Sequence, residues 1–203
     1  PTREWKKRVK EQRWQPGETL SAAIGQGFNL TTPLQLAVLY AALANGGVRV
    51  QPRLVTGLET WDGRLVEATD PVAQPILGID PQTLEVLKQA LVEAVETPLG
   101  TGWRARVPGV SVAGKTGTTQ VVGLETLRGL KGKEIPERFR DHALFASFAP
   151  AEEPEIMVLV LVENGESGGR VAAPMAQKVL ARYFDKKNQL AATQLAEATR
   201  AAN

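Results

Sequence analysis

Val112-Ala113-Gly114-Lys115-Thr116-Gly117-Thr118-Thr119-Gln120-Val121-Val122 sets a lysine, three threonine hydroxyls and two glycines among apolar and β-branched residues. A strand that only filled a sheet would avoid Gly114 and Gly117, because glycine adds no packing side chain and weakens a strand unless a backbone or ligand comes close. The stretch reads as a strand against which something docks. Side chains alternate along a strand, so Thr116 and Thr118 share one face, Lys115 takes the other, and Gly117 clears space between. Two hydroxyls in register can grip a carboxylate. An edge strand kept soluble by lysine and threonine would carry the same pattern, so the residues alone leave the two readings even.

Outward from this strand, His142 to Phe148 and Glu155 to Glu163 are further strand candidates, joined by the turn-rich Ala149 to Pro154, which favours antiparallel neighbours. Ile156 to Val162 is continuously apolar and is therefore expected in the middle of the sheet, buried on both faces under helices. Upstream, Asp80-Pro81 is a cap-then-proline start for a helix through Leu84, Leu87, Lys88, Leu91, Val92 and Val95, ending near Pro98. Thr32-Pro33-Leu34-Gln35 starts another, with Leu34, Ala37, Val38, Ala41 and Ala42 at helical spacing and Asn45-Gly46-Gly47 as its stop. Gly25-Gln26-Gly27 is a tight turn. Val48 to Leu58 and Trp61 to Glu67 read as a hairpin about Asp62-Gly63. Downstream, Gly165 to Gly169 is a flexible stop. A terminal helix from Val171 to Phe184 then packs through Met175, Val179 and Leu180, and residues 185–203 are expected to be a frayed helix or disordered. Gly123 to Asp141 is too long for a hairpin loop and reads as a lid or a mobile loop. The sum is an α+β domain over residues 1–184, an antiparallel sheet with helices on both faces.

Composition narrows the function classes. At 203 residues with 43% hydrophobic content, the chain has the makings of a globular core. A formal charge of +2 supplies no field to recruit nucleic acid. The absence of cysteine excludes disulfides, thiolate catalysis and Cys-ligated zinc, and no metal or cofactor is expected. The longest apolar run, Ile156 to Val162, falls far short of the roughly 20 residues of a membrane span. Pro1 in place of methionine, followed at once by Arg3, Lys6, Lys7, Arg8, Lys10 and Arg13, reads as the start of a piece of something longer. Those cations are expected on a solvated helix face.

Lys115-Thr116-Gly117-Thr118 matches the KTG box of penicillin-binding proteins and serine β-lactamases. It lies within a longer likeness that runs in order through PTREWK, AIGQGFNLTTPLQLA, ALANGG, AGKTGTTQVV, RDHALFASFAP and LVENGESGG. The chain thus resembles the C-terminal part of the transpeptidase domain of the class B, elongation-specific penicillin-binding protein 2 family. That resemblance implies a partial penicillin-binding/serine β-lactamase-like fold. It also implies a D,D-transpeptidase whose serine attacks the D-Ala-D-Ala bond of a peptidoglycan stem peptide, with β-lactams trapped as mimics. By the same resemblance Lys115 and Thr116 are catalytic, Thr116, Gly117, Thr118, Thr119 and Gln120 bind substrate, and the Thr118 amide is an oxyanion donor. The family further implies the periplasmic face of the bacterial inner membrane, with the anchor outside this chain, and RodA-type polymerase and MreC as partners.

The departures matter as much. The family requires S-x-x-K and S-x-N or S-x-D boxes, both upstream of the stretch resembling Pro1. None of Ser21, Ser111, Ser147 and Ser167 has lysine three residues on or Asn/Asp two residues on. The chain by itself is therefore expected to be inactive. Rival readings are the matching part of a division-specific transpeptidase or serine β-lactamase, and a non-catalytic binding module on the same fold. With earlier strands outside this chain, Ile156 to Val162 would become an apolar edge, so self-association is expected. The lone His142 reads as a structural hydrogen-bonder, and Trp5, Trp14, Trp61 and Trp103 as packing residues, with Trp103 near the cleft.

Overall fold

The computed structural model describes residues 1–68, 70–76, 78–123, 125–130 and 132–201, in two units, Pro1–Pro33 and Leu34–Asn203. In the first unit the Thr2 hydroxyl accepts from the Trp5 amide at 3.1 Å and opens α1 (Arg3–Lys10). Glu18 reaches back to the Gln15 amide at 2.7 Å and steadies the start of α2 (Pro16–Ala23). Arg3, Lys7, Arg8, Lys10 and Arg13 are exposed, but Lys6 departs from the solvated-face expectation at 3% exposure. Its Nζ donates to the Arg13 carbonyl at 3.0 Å and to Glu18 at 2.5 Å, and lies 5.4 Å from the Phe28 ring centroid. Burying a cation is tolerable when it is paired and hydrogen-bonded in this way. The Lys6 bond in turn holds the Glu18 carboxyl below the usual range.

α3 (Pro33–Ala44), in the second unit from Leu34 onward, stops at Asn45, where Gly46 and Gly47 take φ of 80° and 91°, a backbone that glycine adopts without strain. The expected single hairpin is split between two pairings. β1 (Val48–Val50) pairs with β4 (Ala73–Pro75), and β2 (Gly57–Glu59) pairs with β3 (Leu65–Ala68), all antiparallel. Only the latter turns about Asp62-Gly63, through Thr60 and Arg64. Trp61 sits in that turn fully exposed, so it does not pack as expected.

Helix α4 (Pro81–Glu96) begins as anticipated, with the Asp80 carboxylate accepting from the Thr83 amide at 2.9 Å. Its inward residues include Leu91, Val92 and Val95. The main sheet is β5 (Ala113–Thr119), β6 (His142–Ala149) and β7 (Ile156–Val162), antiparallel in the order β5-β6-β7. The middle strand is therefore β6, not the continuously apolar β7. Small residues explain why: Ala143, Ala146, Ser147 and Ala149 are all buried on β6, letting neighbours close on both faces. On one face Ala143, Phe145 and Ala149 join Val158 and α5 (Ala173–Ala201); on the other Phe148 and Ala113 meet Leu91 and Val92 of α4.

Helix α5 follows a π turn, Gly168–Ala172. It docks through Ala173, Ala176, Leu180 and Phe184, while Met175 and Val179, expected inside, are about half exposed. The true stripe has the i, i+3, i+7, i+11 spacing, and its alanines bring the helix axis close to the sheet. The helix continues without a break past position 184 to Ala201, with residues 185–200 exposed.

Among the described residues β7 has a strand neighbour on one side only, and its Leu161 is 38% exposed. An apolar strand edge pairs readily with another chain. Sedimentation velocity of the 203-residue chain at tens of micromolar, about 50 µM, is expected to show dimers or larger species, and a charged Leu161→Lys edge to shift them toward monomer. A single monomeric boundary for the unmodified chain would count against this edge pairing.

Candidate functional site

The two glycines that flagged β5 have different explanations. A Cβ on Gly114 would lie 2.7 Å from Phe145 Cζ and 2.9 Å from the Ala146 carbonyl, so this glycine is required by the packing of β6 against it. A Cβ on Gly117 would meet only Leu144 Cβ at 3.3 Å. The tight contact at Gly117 comes from the other direction, where Gly168 of the π turn leans on its backbone. A Cβ on Gly168 would fall 2.6 Å from the Gly117 carbonyl and 2.2 Å from that of Leu144. That close approach requires glycine at 168, whereas a side chain at 117 would have only the Leu144 contact to accommodate.

Strand pairing separates the polar side chains. Thr116 and Thr118 stand opposite Phe145 and Ala143 on one face, while Lys115 stands opposite Ala146 on the other. Thr116 is half-buried, and its Oγ1 lies 2.8 Å from Oγ1 of Thr101. Lys115 is exposed and turns its Nζ to the Thr116 carbonyl at 3.0 Å. Thr118, Thr119 and Gln120 are exposed. Among the described residues β5 has β6 as its only strand neighbour, leaving its other side as an open ledge of main-chain donors and acceptors.

The frame around this ledge includes residues that sequence reasoning passed over. Thr101 sits in the loop after α4, between Gly100 and Gly102, and Gly102 donates to the Ala94 carbonyl at 2.9 Å. The turn Asn164 to Gly169 packs against that same segment. Its Glu166 amide donates to the Asp141 carbonyl at 2.8 Å, and a Cβ on Gly169 would lie 2.5 Å from the Thr101 carbonyl. Glycines clustered as Leu99-Gly100-Thr101-Gly102 and Ser167-Gly168-Gly169 were the available signal, since repeated glycine marks close backbone approach. His142 is a structural hydrogen-bonder, its Nδ1 accepting from the Asn164 amide at 2.9 Å. Trp103 follows Thr101 in a 3-10 turn, about half exposed, with the Arg104 guanidinium 4.6 Å from its ring centroid. Of the serines, Ser147 is buried and donates to the Val158 carbonyl at 3.3 Å, and Ser167 accepts from the Arg170 amide.

Residues 4–181 match the penicillin binding protein transpeptidase domain. The chain belongs to that family. Peptidoglycan D,D-transpeptidase MrdA of Salmonella typhimurium is 35% identical over 188 residues, 91% of this chain and 30% of the relative. The chain thus spans less than a third of that relative's length. Among solved structures, Pseudomonas aeruginosa PBP2 in complex with WCK 5153 superposes with TM-score 0.69 at 39% identity, covering 90% of this chain and 37% of the other. The complex of Helicobacter pylori PBP2 with MreC superposes with TM-score 0.68 at 25% identity, covering 92% of this chain and 30% of that one. The α+β transpeptidase fold with its antiparallel sheet accordingly stands, and Lys115-Thr116-Gly117-Thr118 lies on an edge strand of that sheet in this family member.

Proposed function

We propose that this chain is the substrate-gripping C-terminal part of a peptidoglycan D,D-transpeptidase of the elongation type, the parent protein being the target of β-lactams. The observation that carries the reading is the open edge of β5, with Thr116 and Thr118 on one face and Lys115 on the other, its ammonium turned to the Thr116 carbonyl. A stem peptide lies along this edge as an added strand, Thr119 and Gln120 offering main-chain contacts. Thr116 and Thr118 donate to the terminal carboxylate, and the ammonium of Lys115 supplies positive potential there. The Thr118 amide faces the oxygen that becomes negative when the acyl intermediate forms. The relatives named above support this reading, and the complex seen for the Helicobacter pylori protein supports MreC as a partner. A RodA-type polymerase as partner and residence at the periplasmic face of the inner membrane follow from the same reading. No helix among the described residues is long and apolar enough to cross a membrane.

The nucleophile belongs to a part of the parent outside these 203 residues, because no serine here carries the required box. Two arms test the proposal. The full-length gene product is expected to take up one fluorescent penicillin covalently, and the 203-residue chain alone to show no mass shift after the same incubation. A full-length product that stays unlabelled, or an adduct on the isolated chain, overturns it.

A further inference from the structure

Thr101 is joined to the ledge by the 2.8 Å approach of its hydroxyl to that of Thr116. A hydroxyl has one proton to donate and two lone pairs to accept with. In a pair of hydroxyls only one proton lies between the oxygens, so one partner keeps its own proton free. If Thr116 is to donate to an anion, Thr101 must be the donor within the pair. Its O–H then occupies a lone pair of Thr116 and leaves the Thr116 proton aimed at the ledge, and a hydroxyl that accepts becomes a stronger donor.

The backbone at Thr101 is held for this task from several directions. A Cβ on Gly100 would meet the Ala94 carbonyl at 2.4 Å, and one on Gly102 would meet Phe145 Cε2 at 2.9 Å. Gly169 presses against the Thr101 carbonyl, and the Gly102 amide is tied to Ala94. The segment is clamped between the last turn of α4, the core ring of Phe145 and the turn before α5. An exposed threonine so fixed does nothing for the core. Its rigidity serves its hydroxyl.

We infer that Thr101 is a positioning residue for the proposed acyl-transfer reaction, setting the direction of the Thr116 hydroxyl by donating to it. The inference rests on the reading of β5 as the carboxylate-binding ledge, and the test separates the two. In the full-length gene product, Thr101→Val keeps the shape and deletes the donor. Its second-order rate of penicillin acylation is expected to fall about fivefold to tenfold, the scale of one hydrogen bond. Thr101→Ser restores the donor and is expected to stay within about twofold of the unmodified protein. In a Thr116→Val background, adding Thr101→Val is expected to change nothing, because the pair is already broken.

An unmodified protein that takes no label sinks the transpeptidase reading itself. A labelled protein in which Thr101→Val acylates at the unmodified rate overturns the positioning role and leaves that reading standing. So does a Thr101→Ser variant as slow as Thr101→Val, or an undiminished effect of Thr101→Val in the Thr116→Val background. If Thr101→Val lowers the melting temperature, the serine variant and the double-variant comparison still decide the matter.

Discussion

Lys115→Ala in the full-length gene product is expected to lower the rate of penicillin acylation about 10²–10³-fold, the scale seen when one preorganised electrostatic donor is removed from an acyl-transfer site. Lys115 is exposed on the face of β5 away from Thr116, it fills no core, and its Nζ rests on the Thr116 carbonyl at 3.0 Å. A lysine in that position can be removed without a cavity, so the variant should melt with the unmodified protein. The loss is then one of potential at the ledge, where a carboxylate arrives and an oxyanion develops. Lys115→Arg is expected to recover only part of the rate, because a planar guanidinium fork does not reproduce a compact ammonium on a flexible stem. Acylation rates measured beside melting curves check all of this. A normal rate in Lys115→Ala would remove the box from the chemistry and reduce it to the soluble edge strand that its pattern equally allowed.

That ambiguity shows what was legible and what was not. The β5, β6 and β7 segments and the start of α4 were readable because their signals are local: alternation, apolar runs, a capping aspartate before a proline. Which strand lies in the middle was not, since the run in Ile156–Val162 reports hydrophobicity while centrality depends on the small residues of β6 that let both faces close. The split hairpin failed for a similar reason, as Val48–Val50 found its partner at Ala73–Pro75, beyond the nearest turn. Lys6 shows the limit of charge counting, for its burial depends on Glu18 and Phe28, which sequence spacing does not bring to mind. At the site, the KTG strand was visible as a motif, whereas Thr101 had only its flanking glycines as a signal and joins the site through a hydroxyl contact across 15 residues of sequence.

Gly168→Ala is expected to be the most destabilising single methyl in the second unit. Its Cβ would sit 2.2 Å from the Leu144 carbonyl, 2.6 Å from the Gly117 carbonyl and 3.0 Å from the Gly117 amide nitrogen. Every one of these atoms is backbone in the paired β5 and β6 strands, so no rotamer change can make room. Either the π turn lifts off the sheet, dragging the start of α5 with it, or β5 shifts at the position between Thr116 and Thr118. Overpacking of this kind costs about 3 kcal/mol at the upper end of the usual range, which in a domain of this size lowers the melting temperature by roughly 6–12 °C. Acylation of the full-length product should fall further than stability alone explains, because the atoms displaced are those that set the spacing of the two threonines. Gly123→Ala is the matched control: nothing lies within 4 Å of its Cβ, and it should melt and acylate normally. If Gly168→Ala behaves like that control, the turn does not clamp the strand.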